Sequence, residues 1–165
     1  MSVTVGLLAI IIAAVVQVSV LPAFSIFGVQ PNLLIVILVV WITIQGQRDA
    51  LILIPAAGFV QGLLDSHPLG LAMLALAPLI LMTDVRELRL MQSDLLLTVV
   101  LTALATIAYE GAFLLTLAVT GERPDWLASA LDVLAPATIA NVLVALPVYG
   151  VARLLSVEMQ RRQAY

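Results

Sequence analysis

The amino-acid sequence predicts an all-α, polytopic membrane protein. It reads as one domain over residues 1–165 with six transmembrane helices, both termini on the cytoplasmic side, and a short interfacial helix before the last span. Composition is the first sign. The 165 residues are 63% hydrophobic and 10% charged, against roughly 45–50% apolar and about 25% charged in an ordinary soluble domain. A water-soluble chain this short could not cover its surface with so few polar groups. Spacing is the second sign. Apolar runs fall near residues 3–21, 31–46, 50–64, 69–83, 95–119 and 136–155, and a hydrocarbon core ~30 Å thick asks for about 20 such residues per helix. The third is the placement of the arginines. With six spans and an inner N-terminus, the inner segments hold Arg48, Arg86, Arg89, Arg153, Arg161 and Arg162, and the outer segments hold Arg123. That is a strong positive-inside bias. Five spans would put Arg86 and Arg89 opposite the C-terminal arginines.

Several classes of function fall away at this level. The chain has no Cys, so no disulfide framework and no Cys-based metal or redox site is expected. It has no Lys, no basic run and a net charge of −3, which argues against nucleic acid as a partner. The first apolar run lacks a basic leader and a small-residue cleavage site, and reads as a retained span rather than a signal peptide.

Taken in order, the first run ends at Pro22 and is joined by the short, uncharged 25–30 connection to the second. That second run opens at Pro31-Asn32, where proline suits a first turn and asparagine can satisfy free N–H groups. Gln45-Gly46-Gln47-Arg48-Asp49 reads as a polar turn. The third and fourth runs are short, and either cross or form a re-entrant pair; two crossings are favoured. Pro55, Gly58 and Gly62 in the third run suit close packing or a break within a bundle. Between these two runs lies Gly62-Leu63-Leu64-Asp65-Ser66-His67-Pro68-Leu69-Gly70, a polar hairpin in which Asp65 or Ser66 can cap the N-terminus of the helix that follows and Pro68 suits its first turn. Residues 84–94 are the most polar internal segment and read as a solvated or interfacial connection. A full span follows, interrupted by threonines, Tyr109, Glu110 and Gly111. Asp125 is placed to cap the interfacial helix over 125–134, with Trp126, Leu127, Ala130, Leu131 and Leu134 on one apolar face and Asp132 on the other. Pro136 is expected to open the last span.

Glu110 is the residue that most needs a reason. It lies about nine residues, or ~14 Å, from the outer end of its span, and an ionisable group at that depth is expensive. No Arg matches its depth, so a hydrogen-bonded neighbour is expected, with Asn141 the best candidate. Three roles are open for it: a structural polar pair, contact with another membrane protein, or part of a proton or ion relay. Asp65, Ser66 and His67 do not make a catalytic triad, since neighbours on one turn rarely converge. A metal site would need more ligands than Asp65 and His67. No nucleophile elbow, zinc-protease motif or phosphate loop occurs. No enzymatic activity and no cofactor is expected.

Pro31-Asn32-Leu33-Leu34, Trp41, Gly62-Leu63-Leu64-Asp65, Pro68-Leu69-Gly70-Leu71 and Tyr109-Glu110 fall in an order that resembles the MreD family, the rod-shape-determining integral membrane proteins of bacteria. The resemblance spans nearly the whole chain, and the G-L-L-D…P-L-G hairpin is its most telling piece. It implies a non-enzymatic subunit of the cell-elongation (rod) complex in the cytoplasmic membrane, supporting peptidoglycan synthesis. The partners it implies are MreC, the MreB filament, RodA and its cognate class B penicillin-binding transpeptidase. It also implies an architecture similar to the substrate-binding subunits of energy-coupling-factor transporters. Pro31, Asn32, Trp41, Gly62, Asp65, Pro68, Gly70, Glu110 and Asn141 are thus the candidate structural or partner-contact residues. A scaffold should present small residues toward a partner helix, for which Ala103, Ala105, Ala108, Gly111 and Ala112 are candidates. The alternative, a substrate-binding subunit of a vitamin-type transporter, should instead gather polar groups in a pocket.

Overall fold

A run of thirteen residues, Leu33–Gln45, forms the helix around which the others are arranged. Its residues from Leu33 to Thr43 are buried, apart from the partly exposed Ile37. In the computed structural model, which describes residues 3–25, 28–45, 47–64, 69–83, 93–119, 121 and 125–163, this central helix is α2. The order is α1 (Val3–Ser19), a 3-10 turn (Leu21–Ala23), α2 (Leu33–Gln45), α3 (Gln47–Leu64), α4 (Leu69–Leu76), α5 (Pro78–Met82), α6 (Asp94–Val119), α7 (Trp126–Ser129), a π turn (Ala130–Leu134) and α8 (Ala135–Gln163). The all-helical expectation holds. Asp94–Thr116 and Ala130–Glu158 are long and apolar enough to cross a membrane, and four shorter apolar helices accompany them.

Local chemistry accounts for the boundaries. Pro22 stands in the 3-10 turn that follows α1, where its missing N–H costs little. Pro78 also lacks an N–H, and the Ala77 N–H turns to the Leu74 carbonyl at 3.1 Å instead; α4 and α5 are thereby two segments of a kinked rod. The expected polar turn at 45–49 is shorter than its composition suggests. Gln47, Arg48 and Asp49 already belong to the first turn of α3, where an acidic residue favours the helix N-terminus. The interfacial helix is also not a separate element. Asp125 does cap α7, accepting the Ala128 N–H at 3.2 Å. The helix then runs on through the π turn into α8, with the Ala135 N–H reaching the Ala130 carbonyl. Pro136 cannot donate to the Asp132 carbonyl, and the wider register absorbs that missing bond.

Contacts fix the directions of the helices. Gly6, early in α1, lies against Leu53, early in α3, and Trp41, late in α2. Gln17, late in α1, bonds Gln61, late in α3. Thus α1 and α3 run one way and α2 the other. Val36 and Val40 of α2 cluster with Ala145 and Tyr149 of α8, and Asn32 meets Asn141, so α8 runs with α2. α3 continues through Pro55 without a break. At Gly58 a Cβ would sit 2.8 Å from the Met73 Cα, so the glycine allows the backbones of α3 and α4 to meet.

The surface reverses the usual pattern. Leu8, Ile11, Ile12, Val15 and Val18 of α1, Leu74 and Leu81 of α4 and α5, and Leu154 and Leu155 of α8 are exposed. Thr98, Thr102, Thr106, Gln61 and Asn141 are buried. A chain folded against water would reverse these placements.

Candidate functional site

The polar groups of the interior converge where α2 begins. Asn32 caps that helix: its Oδ1 accepts the Leu34 and Ile35 N–H groups at 3.1 and 3.2 Å, as the free donors of a first turn require. The backbone N–H of Asn32 donates in turn to Asn141 Oδ1 of α8 at 2.6 Å. Asn141 Nδ2 donates to Thr106 Oγ1 of α6 at 2.9 Å, and Thr106 Oγ1 donates to the Thr102 carbonyl at 2.8 Å. Three helices are thereby tied through one buried amide. Asn141 is spent on Asn32 and Thr106, and so it is not the partner expected for Glu110. The start of α2 lies at the depth of Asn141 and takes the acceptor first.

Across from this clamp, Gln17 Nε2 donates to Gln61 Oε1 at 3.1 Å, while Gln17 Oε1 is buried without a hydrogen-bond partner. Between the two arrangements lies an open vestibule of about 250 Å³ with largely polar walls. Gln17, Gln61, Gln30 and Asn32 line it together with Pro31, Tyr109, Glu110 and Phe113. Glu110, half-buried, supplies the carboxyl group, and the lining holds no basic residue among the described residues. The vestibule opens at the end of the bundle where α1 and α3 finish and α2 and α8 begin.

The sequence candidates divide accordingly. Pro31, Asn32, Glu110 and Asn141 belong to the vestibule or the clamp behind it. Gly62 is buried within α3 and Gly70 is exposed at the start of α4, where a Cβ would meet open space. Asp65 and Pro68 lie outside the described residues. Trp41 is buried at the far end of α2, its Nε1–H unpartnered, on the wall of an apolar groove of about 380 Å³ between α1, α2 and α8. The small residues proposed as one outward face of α6 are split. Ala105 is wholly buried and Ala112 packs on the core, whereas a Cβ at Gly111 would meet open space. At 100° per residue these positions cannot share one stripe.

Thr106 and Phe113 went unnoticed in the sequence. The i, i+4 series Thr98, Thr102, Thr106 was the available signal, since each hydroxyl donates to the carbonyl one turn back. Among the described residues no group of three His, Cys, Asp or Glu is placed to hold a metal.

A family model described as rod shape-determining protein MreD matches residues 1–157 of this chain. No curated protein and no solved structure matches it.

Proposed function

This chain belongs to the MreD family of rod shape-determining membrane proteins, and from that premise we propose that it is a non-enzymatic scaffold subunit of the bacterial cell-elongation complex. In this reading it lies in the cytoplasmic membrane and crosses it six times, with both termini inside. It supports peptidoglycan synthesis through MreC, RodA with its cognate class B penicillin-binding transpeptidase, and the MreB filament. The family match over residues 1–157 carries the assignment. Three features support the topology: α1, α2 and α3 alternate in direction and α8 runs with α2, large apolar side chains face outward, and six spans would put all the arginines but Arg123 on one side. α1, α2, α3 and the α4–α5 rod are shorter than a ~30 Å core requires, which local thinning accommodates.

The test is an unbiased pull-down of the full chain in mild detergent, followed by mass spectrometry. Recovery of cell-elongation proteins is the expected result. Their loss with Glu110→Leu, at normal membrane accumulation, is expected if Glu110 contributes to partner contact. A pull-down that returns only unrelated proteins overturns the assignment. The vestibule favours one second reading, a substrate-binding membrane subunit of a vitamin-type transporter. A tightly bound small molecule recovered with the purified protein would select it.

A further inference from the structure

We propose that the vestibule at the start of α2 binds a neutral polyhydroxyl group, a single sugar ring, presented from the non-cytoplasmic side. The inference goes beyond the scaffold reading and does not depend on the identity of the complex. It takes from that reading only which end of the bundle faces outward.

The chemistry of the walls comes first. Four of the eight lining residues, Gln17, Gln30, Asn32 and Gln61, end in an uncharged amide. An amide both donates and accepts, and so does a hydroxyl. A ligand rich in hydroxyls therefore satisfies such walls whichever end of each amide it meets. Asn32 Oδ1 is spent on the Leu34 and Ile35 N–H groups, which leaves Nδ2 as the part of that amide to offer. Gln30 is exposed, so either end of its amide can turn to a ligand. Gln17 and Gln61 hold each other through their bond at 3.1 Å, which orders two of the amides before any ligand arrives. Glu110 fits the same pattern in either protonation state, accepting from a hydroxyl as a carboxylate and donating to one as an acid. The site does not turn on its charge.

Shape and the aromatic side chains narrow the ligand further. Tyr109 and Phe113 lie one turn apart on α6, and both line the space. A sugar ring carries C–H groups between its hydroxyls, and aromatic side chains give those an apolar body to pack on, with a hydrogen-bonding end in tyrosine. About 250 Å³ falls below the ~300–1,000 Å³ of drug-sized pockets and suits one ring rather than a chain of them. A peptide backbone also donates and accepts, but in its recurring modes it adds to a sheet edge or lies as a helix in an apolar groove. The described residues contain no β-strand, and the vestibule is largely polar. A free sugar and the glycosyl headgroup of a membrane lipid share the required chemistry.

The test uses the full chain in phosphatidylcholine nanodiscs and saturation-transfer NMR, with glucose, galactose, mannose and N-acetylglucosamine as probes. Direct contact is the readout, because excluded sugars stabilise any folded protein and a raised melting point would not discriminate. At least one sugar is expected to receive saturation. Cyclohexanol, with one hydroxyl, and N-acetylglycine N-methylamide, a peptide mimic, are the controls and are not. Gln30→Leu and Phe113→Leu should each weaken sugar binding several-fold, and Gln30 is exposed, so its replacement should leave the fold intact. Nanodiscs that also contain diacylglycerol carrying the bound sugar identify the source: competition with the free sugar assigns a lipid headgroup, and its absence assigns a free sugar. Transfer to no sugar beyond the cyclohexanol level, binding unchanged in both variants, or transfer to the peptide mimic at the level of the sugars overturns the proposal. Failure here with cell-elongation proteins still recovered in the pull-down rejects the sugar site and leaves the scaffold reading standing. Sugar binding without those proteins keeps the site and rejects the scaffold assignment.

Discussion

Replacing Asn141 with leucine removes one side chain but disturbs three helices, and the size of the effect follows from what each partner keeps. Thr106 Oγ1 loses a donor yet still donates to the Thr102 carbonyl, so that loss is an ordinary interhelical hydrogen bond. Such bonds average about 0.6 kcal/mol within membranes and reach about 1.7. The Asn32 N–H loses its acceptor altogether, and a buried donor left unsatisfied costs about 1–3 kcal/mol. Asn32 is only partly buried, which places this second cost in the lower half of the range. Asn141→Leu should therefore destabilise the fold by about 2 kcal/mol. Thr106→Val, nearly the same shape, removes the acceptor of the buried Asn141 Nδ2 and the bond to the Thr102 carbonyl, and should cost about 1–3 kcal/mol. Because both changes remove the Asn141–Thr106 bond, the double variant should be milder than the sum, with a coupling near the value of that bond. Reversible unfolding in mixed micelles, followed by circular dichroism, measures all three variants. Losses that simply add in the double variant would refute the reasoning, because the two side chains would then be shown not to share a bond.

Gly58→Ala should cost about 1–3 kcal/mol, since its Cβ would stand 2.8 Å from the Met73 Cα and the backbone of α4 must move. Gly6→Ala should be near neutral in the same unfolding assay, because the closest atoms are the movable ends of Leu53 and alanine gains about 1 kcal/mol of helix propensity. Trp41→Phe should change stability by less than about 1 kcal/mol, as it keeps most of the ring while removing an N–H that has no partner. Cysteines placed at residues 67 and 88 should be labelled from opposite sides of the membrane; labelling from one side would refute six crossings.

The helices were legible because lipid imposes a coarse rule, that a spanning segment must be apolar over many residues and satisfy its own backbone. Finer features were not, for identifiable reasons. Gln47, Arg48 and Asp49 look like a turn by polarity, yet they form the first turn of α3, where an acidic residue favours the helix N-terminus. Trp126 to Leu134 look like a separate interfacial helix, yet a π turn joins them to α8 because Pro136 disturbs only one backbone bond. The Asn32 cap could be read from Pro31-Asn32 alone. Its acceptor on α8 could not, since nothing along the chain says that the second and last apolar runs are neighbours and run the same way.

The brevity of α2 ties these observations together. Thirteen residues span ~20 Å, so its N-terminal donors sit inside the bundle and must be satisfied by side chains rather than by bulk water. Asn32, Asn141 and Thr106 perform that service, and their positions are explained by the fold alone. Glu110 stands one turn beyond Thr106 on the same helix and lines the space in front of this cap, so the polar groups of α6 face the end of α2 that a short helix leaves inside the bundle.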